Sequence, residues 1–233
     1  MSIFKFKNFN VIQTNAPQKV GTDAMVLGAL VNHENTSSIL DVGTGCGVIA
    51  LMLAQNYPKA KVAGLDIDEK AVLQAQSNFQ NSHFPNEFEA LHQNFLEYIL
   101  SQKFDLIVSN PPYFNTKMPS IDQQRSLARH ENSMSLQDLI NHSERLLTEN
   151  GALWMIVPSE RAEALINDDL NLKLSQRIKI YGKPNRHVRD VLVFTKTQNE
   201  IDYRLSELTI RDDKNQYTEQ YKALTLEFHY NKL

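Results

Sequence analysis

The sequence predicts an α/β fold in which helices cover both faces of a mostly parallel β-sheet. Short apolar runs alternate with helical patterns along most of the chain, as expected when each strand is followed by a helix. The 233 residues are 42% hydrophobic, which is enough to bury one large core. No apolar run reaches the ~18–20 residues that a membrane-spanning helix needs. The chain is therefore expected to be globular and not to enter a membrane.

The predicted strands and helices follow one another in regular order. Strands are expected at 38–42, 61–65, 88–91, 104–108, 152–157, 174–181 and 188–195. Helices are expected at 48–55, 69–79, 135–148 and 159–166. Asp68 and Ser135 stand where N-cap residues are preferred. A stripe formed by Tyr217, Tyr221, Leu224 and Phe228 predicts a last, amphipathic helix.

The chain shows no repeat, low-complexity tract or flexible linker, so we expect one domain over residues 1–233. It would comprise a helical N-terminal extension (1–35), a core (36–196) and a C-terminal strand/helix extension (197–233). The single cysteine, Cys46, excludes an internal disulfide, and the histidines lack metal-ligand spacing, so no metal is expected. Because no export signal precedes the first strand, we expect a cytoplasmic protein, and we expect a monomer.

Basic side chains are concentrated in two segments. The net charge is −3, yet residues 1–22 carry three lysines and residues 171–189 carry six basic side chains, with no acid in either segment. The remainder of the chain is correspondingly acidic. This distribution is typical of a surface that binds a polyanion, but nearby acids could equally balance it.

A glycine-rich segment, 41–47 (DVGTGCG), lies between the first core strand and its helix. Ligands of such sheets bind at the carboxyl ends of the strands, where Gly43, Gly45 and Gly47 would allow close approach of the backbone. The alternative is a simple tight turn, and the spacing differs from that of dinucleotide binders. Asp66 ends the second core strand, where a carboxylate can accept both hydroxyls of a ribose. Together these features predict a site for a nucleoside cofactor.

Asp41 in front of the first glycine, with the compact glycine spacing, resembles the cofactor site of class I methyltransferases. That family has a Rossmann-like fold with a seven-stranded, mostly parallel sheet. The resemblance implies that S-adenosyl-L-methionine is the cofactor. It also implies that the cofactor contacts Asp41, Gly43, Gly45, Gly47 and Asp66.

The tetrapeptide Asn110-Pro111-Pro112-Tyr113 follows the fourth core strand. The alternative role is strand termination, since two prolines break regular structure. Beside a methyl donor, the Asn110 side-chain oxygen and the Pro111 carbonyl could accept both N–H groups of an exocyclic amine and stabilise the charge that develops on nitrogen. Tyr113 could stack on a planar substrate. The tetrapeptide resembles the signature of amino methyltransferases that act on adenine N6, guanine N2 or protein glutamine.

Further segments resemble the bacterial tRNA adenine-N6 methyltransferases that modify position 37 of a valine tRNA. They are residues 4–11, 19–28, 74–78, 186–187, 210–212 and 217–225. This resemblance implies a tRNA substrate, methyl transfer to N6 of an anticodon-loop adenine, and Thr22 and Asp23 near the methionine end of the cofactor. It also places Asn94 and Phe95 at the cofactor adenine. Asn94 replaces a usual aspartate, so it could still accept a hydrogen bond, but without charge assistance.

A pocket of four residues cannot read a whole tRNA, so phosphate contacts are expected elsewhere. The predicted contacts are Lys183, Arg186 and Arg189 in the basic segment, and Arg125 and Arg129 in the loop after the tetrapeptide. Other functions remain open at this point. They are protein-glutamine N5 methylation, rRNA guanine-N2 methylation, and a catalytically silent module that binds the cofactor or RNA.

Overall fold

The computed structural model describes residues 2–14, 19–99, 102–111, 134–168, 170–196 and 203–230. The predicted α/β class is confirmed, because these residues form a sheet of eight strands covered by helices. Pro112, Tyr113, Arg125 and Arg129, which the sequence analysis singled out, lie outside the described residues.

Ten strands and six helices occur in the described part of the chain. The strands are β1 Ile3–Lys5, β2 Asn10–Ile12, β3 Ser38–Val42, β4 Lys61–Asp66, β5 Phe88–His92, β6 Phe104–Ser109, β7 Leu147–Pro158, β8 Lys173–Lys183, β9 Arg186–Thr195 and β10 Arg204–Thr209. The helices are α1 Thr22–Leu30, α2 Val48–Asn56, α3 Glu69–Gln80, α4 Leu136–Leu146, α5 Ser159–Ile166 and α6 Glu219–Thr225, with a short 3-10 turn at Phe95–Glu97.

The large sheet has the order β10-β8-β9-β7-β6-β3-β4-β5. Strands β5, β4, β3, β6 and β7 are parallel neighbours, while β9 is antiparallel to both β7 and β8. The chain builds outwards from β3 to β5 and then returns to the other side of β3 with β6. The strand order therefore reverses between β3 and β6, and ligands of such sheets bind outside that point.

The sheet has one strand more than the seven predicted. Strand β10 pairs in parallel with the edge strand β8 and belongs to the expected C-terminal strand/helix extension. Four of its six residues are exposed, so the sequence has no apolar run that would identify this strand.

Each face of the sheet buries its own hydrophobic cluster. Ile39 and Leu106 point into the cluster shared with α1, α2, α3 and α6, and Leu40 and Ile107 point into the one shared with α4 and α5. This division follows from the alternation of side chains along a strand. Trp154 lies in the first cluster and is 4% exposed, as its apolar strand predicts. Because both faces are covered, only the ends of the strands are left to form a site.

The N-terminal extension is not wholly helical, contrary to the sequence-based expectation. Strands β1 and β2 form an antiparallel hairpin before α1. Phe6 and Phe9 stack with ring centroids 4.3 Å apart and are buried against the core, with Val11 fully buried beside them. The alternation of aromatic and lysine residues at 4–7 fits a strand, but it is too short to identify one from the sequence alone.

Helix starts agree with the predicted capping residues. The Asp68 carboxylate accepts a hydrogen bond from the Lys70 N–H at 2.9 Å, and Ser135 forms a capping box with Asp138. The last helix is shorter than the predicted stripe, because it begins only after Thr218, whose hydroxyl accepts from the Tyr221 N–H. None of the described helices is long and apolar enough to cross a membrane.

Candidate active site

The two predicted motifs leave the sheet side by side. Val42 at the end of β3 lies opposite Ser109 at the end of β6, and the Ser109 hydroxyl donates to the Val42 carbonyl at 2.9 Å. Gly43 and Asn110 are consequently neighbours at the point where the strand order reverses. Asn110 is half-buried and Pro111 is buried. The sequence analysis did not single out Ser109, although a hydroxyl residue ending the apolar strand FDLIVS is a visible signal.

The glycine loop combines close packing with open space. Gly43, Gly45 and Gly47 have φ angles of +72°, +57° and +79°, a region that other residues avoid. A Cβ on Gly43 or Gly45 would meet no atom of the described residues within 4 Å, whereas one on Gly47 would lie 2.6 Å from the Phe79 ring. The first two glycines therefore border room for a ligand, and the third packs against α3.

Asp66 fixes the loop as well as facing the site. The Gly43 N–H donates to the Leu65 carbonyl at 2.8 Å, and the Gly45 N–H donates to Asp66 Oδ2 at 2.9 Å. Asp66 Oδ1 accepts from the Asp68 N–H at 3.0 Å. Each carboxylate oxygen keeps a further lone pair, so hydroxyl groups of a ligand can still donate to Asp66.

Asp41 is a buried carboxylate with one unsatisfied oxygen. It is 1% exposed, and its Oδ2 accepts from the Thr44 hydroxyl at 2.7 Å and from the Ala50 N–H at 3.2 Å. Its Oδ1 has no hydrogen-bond partner among the described residues. Burial raises the pKa of Asp41 to about 7, and the nearby Asp66 carboxylate acts in the same direction. An orphaned buried carboxylate oxygen is suited to a cationic group of a ligand.

Asn94 and Phe95, both expected at the cofactor adenine, occupy different environments. The Asn94 side chain caps the 3-10 turn, accepting from the Leu96 N–H at 3.1 Å and donating to Glu97 at 3.2 Å. The Phe95 ring is 3% exposed and packs edge-on against the His142 ring inside the core. The Phe95 side chain is therefore a core residue, and only its backbone remains available to a ligand.

The start of α1 reaches the same edge of the sheet. Arg189 lies opposite Pro158, the last residue of β7, and its Nε is 2.9 Å from Asp23 Oδ2. Thr22 is exposed at the beginning of the helix. Arg189, expected from the sequence to contact nucleic acid, thus forms a partly exposed ion pair with Asp23.

The β8–β9 hairpin extends beyond the edge where the site lies. Because β9 is antiparallel to β7 and Arg189 is level with the end of β7, the tip with Lys183 and Arg186 projects about 10 Å further, at ~3.4 Å per residue. Asn185 in the turn has a φ angle of +61°. Arg186 is exposed and Lys183 is half-buried. The tip therefore presents two basic side chains on the ligand side of the sheet.

Part of the basic segment forms ion pairs within the protein. Arg177 is 7% exposed and forms ion pairs with Asp190, which is fully buried, and with Glu163 of α5. The basic segment is therefore not uniform. Its middle is balanced by acids close in space, and its tip faces solvent.

This sheet order, with a glycine loop and two carboxylates at the reversal point, is shared by the S-adenosylmethionine-dependent class I methyltransferases, and similarity to known proteins assigns the chain to that class. Solved structures share the fold. A predicted O-methyltransferase from Agrobacterium tumefaciens superimposes with a TM-score of 0.68 at 17% identity, over 90% of this chain and 98% of that one. A SAM-dependent methyltransferase from Aquifex aeolicus superimposes with a TM-score of 0.52 at 19% identity, over 74% of this chain and 88% of that one. Residues 16–174 match the methyltransferase small domain.

Sequence relatives define the family more closely. The tRNA1(Val) (adenine(37)-N6)-methyltransferase of Bacteroides thetaiotaomicron is 37% identical over 229 residues, 97% of this chain and 96% of that protein. Proteins of the same name from Flavobacterium psychrophilum and Histophilus somni are 36% and 35% identical, over 97% and 98% of this chain and 99% and 97% of theirs. The chain belongs to this tRNA1(Val) (adenine(37)-N6)-methyltransferase family. The resemblance inferred from its motifs is confirmed.

Proposed function

We propose that this protein transfers a methyl group from S-adenosylmethionine to N6 of adenine 37 in the anticodon loop of a valine tRNA. The observation that carries the proposal is the adjacency of Asn110 and Gly43 at the strand-order reversal, fixed by the Ser109–Val42 hydrogen bond. This adjacency supports a site in which Asn110 and Pro111 would bind the amine of the substrate beside a cofactor held by the glycine loop. The names of the relatives supply the particular tRNA and position.

The site residues fit the cofactor. Gly43 and Gly45 border open space, and Asp66 keeps lone pairs for the ribose hydroxyls. The unsatisfied oxygen of Asp41 would accept from the ammonium of the methionine part. Asn94 would lie beside the adenine of the cofactor. When bound, S-adenosylmethionine supplies an electrophilic methyl group on a positively charged sulfur.

Asn110 and Pro111 would prepare the nucleophile. The lone pair of an adenine amino group is delocalised into the ring, so the free amine is a poor nucleophile. The Asn110 side-chain oxygen and the Pro111 carbonyl would accept its two N–H groups, which localises the lone pair and stabilises the positive charge that grows on nitrogen. No strong general base is required, because the methylated ammonium is acidic. Pro112 and Tyr113 complete the proposed pocket, Tyr113 by stacking on the base.

The hairpin tip would hold the RNA. Strand β8 is three strand spacings from β6, about 14 Å, which is within the reach of an anticodon loop whose base lies at Asn110. We assign phosphate contacts to Lys183 and Arg186, and to Arg125 and Arg129 in the loop after the tetrapeptide. An unpaired loop base is easily turned out into a pocket, which lowers the cost of presenting it.

We propose one methyltransferase domain over residues 1–233, because α1 and α6 bury residues in the same cluster as the sheet. We further propose that it acts as a monomer in the cytoplasm, where tRNA is modified.

Nucleoside analysis tests this function. Valine tRNA from a strain lacking this protein is expected to lose N6-methyladenosine at position 37, and the wild-type chain is expected to restore it. The Asn110→Ala variant is expected not to restore it. Unchanged N6-methyladenosine in the deletion strain, with methylation of a protein glutamine or of rRNA guanine instead, would establish one of the alternative functions.

A further inference from the structure

A single buried amide on α3 joins the glycine loop to the N-terminal hairpin. Asn78 is 1% exposed. Its Nδ2 donates to the Cys46 carbonyl at 2.8 Å and to the Ile12 carbonyl at 2.8 Å, and its Oδ1 accepts from the Ile12 N–H at 2.9 Å. Both amide hydrogens are therefore committed to two segments that lie 32 and 66 residues away in the sequence.

The bond to Cys46 bears directly on the shape of the glycine loop. Cys46 lies between Gly45 and Gly47, which both have positive φ angles. Glycines permit many backbone conformations, so contacts from outside must select one of them. Asp66 holds the Gly45 N–H on one side, and Asn78 holds the Cys46 carbonyl on the other. These two side chains therefore fix the peptide groups on either side of the Gly45–Cys46 peptide.

The bonds to Ile12 connect this loop to the segment that precedes α1. The next residue, Gln13, is 8% exposed and its Oε1 accepts from the Val20 N–H at 2.8 Å. Val20 stands just before the first turn of α1, where Asp23 is paired with Arg189 at the edge of the site. The hairpin that Asn78 holds is thus tied to the start of α1.

We infer that Asn78 is a positioning residue that sets the cofactor loop and the N-terminal segment relative to each other. It acts through Cys46 and Ile12 and does not itself touch the cofactor. The inference rests on the proposed function, which assigns the glycine loop to S-adenosylmethionine. Removing the amide leaves the Cys46 carbonyl and both Ile12 backbone groups without this partner, so the loop loses its preferred shape.

Asn86 provides a matched control. Its Nδ2 also donates to two backbone carbonyls, those of Tyr57 and Ala60, both at 2.8 Å. These residues precede β4, at the opposite edge of the sheet from the site. Asn86→Ala removes the same number of amide–carbonyl bonds without touching the loop. Because Asn78 also accepts from the Ile12 N–H, Kd is compared at temperatures equally far below the melting temperature of each variant, so that the remaining difference reports on location.

The test compares the melting temperature, the Kd for S-adenosylmethionine, KM and kcat in Asn78→Ala and Asn86→Ala. We expect Asn78→Ala to raise Kd and KM for the cofactor by about tenfold, with kcat at saturating cofactor changed less than about threefold. Asn86→Ala is expected to lower the melting temperature while leaving Kd and KM within about twofold. Equal effects of both variants on Kd would overturn the inference. If the wild type binds no S-adenosylmethionine, the proposed function fails instead.

Hydrogen exchange in the wild type keeps the inference testable if Asn78→Ala does not fold. Addition of S-adenosylhomocysteine is expected to slow exchange of the Ile12 N–H together with the amides of the glycine loop, because Asn78 bonds both the Ile12 N–H and the Cys46 carbonyl of the loop. Protection of the loop amides with unchanged exchange at Ile12 would contradict the coupling.

Discussion

Arg189 and Asp23 form an ion pair, with Nε 2.9 Å from Oδ2, that fastens β9 to the first turn of α1. About a third of each side chain is exposed, 31% for Arg189 and 29% for Asp23. This pair changes the interpretation of the basic segment, because it gives Arg189 an internal role. Arg189 therefore differs from Lys183 and Arg186, which lie at the hairpin tip and are the proposed RNA contacts.

We predict that Arg189→Ala does not change the salt dependence of tRNA binding. A partly exposed pair contributes at most about 1 kcal/mol, so Arg189→Ala and Asp23→Ala should each lower the free energy of unfolding by that amount or less. Their double variant should cost less than the sum, because both remove one interaction. A denaturation series on the four proteins measures the coupling. If the losses in unfolding free energy were additive and Arg189→Ala lowered the salt dependence of tRNA binding, Arg189 would contact RNA and not Asp23.

The hairpin tip is predicted to bind phosphate groups. Changing both Lys183 and Arg186 to Glu should weaken tRNA binding by about a hundredfold and reduce the slope of log K against log salt by about 2. Cofactor affinity should stay the same. Lys59 and Lys173 are exposed near the opposite edge of the sheet, so their double reversal to Glu is the matched control. Equal losses of tRNA affinity in both double variants would show that only net charge matters.

Cofactor binding is predicted to depend on pH through Asp41. Burial raises the pKa of this carboxyl to about 7 in the unliganded protein, so the protonated form is favoured below that pH. An ammonium group beside Oδ1 would favour the carboxylate, so binding at pH 6 should release a proton. Affinity should then fall by up to about tenfold for each pH unit below 7.

Calorimetry in buffers of different ionisation enthalpy measures that proton release. Asp41→Asn should abolish it and flatten the pH dependence. Proton uptake on binding, or an unchanged pH dependence in Asp41→Asn, would exclude contact between Asp41 and a cationic group. The folding stability of the unliganded protein should depend on pH in the opposite direction from cofactor affinity. A raised carboxyl pKa contributes stability at low pH that is lost as the pH rises through about 7.

Asp66→Ala is predicted to weaken cofactor binding by at least about tenfold. The change removes an acceptor for the ribose and also the partner of the Gly45 N–H. Asp66→Asn keeps one oxygen, so it should retain part of the affinity. Titration calorimetry that found wild-type affinity in Asp66→Ala would remove this residue from the site.

Local sequence patterns predicted much of this architecture, because they act over a few residues. The apolar runs located β3, β4, β6 and β7, and the polar residues Asp68 and Ser135 marked the starts of α3 and α4. The two motifs followed from strand ends that share one edge of a parallel sheet. Gly43 and Asn110 were therefore expected at the same edge of the sheet, where the structure places them.

Long-range contacts could not be predicted in the same way. Neither the Arg189–Asp23 pair nor the Asn78 bridge leaves a local pattern, since their partners are far apart in the sequence. Phe95 shows the converse problem, because a residue beside a site can direct its side chain into the core. The β1–β2 hairpin and β10 are short or exposed, so neither has the apolar run that identifies a buried strand.

The most direct test of the account measures methyl transfer to a valine tRNA transcript with labelled S-adenosylmethionine. We predict one methyl group per tRNA, located on N6 of adenine 37. We also predict no transfer when that adenine is replaced by guanine. Asn110→Ala should lose at least about a hundredfold in single-turnover rate while binding cofactor and tRNA normally, since Asn110 acts on the developing charge. Wild-type rates in Asn110→Ala, or equal methylation of the guanine-substituted transcript, would contradict the central claim.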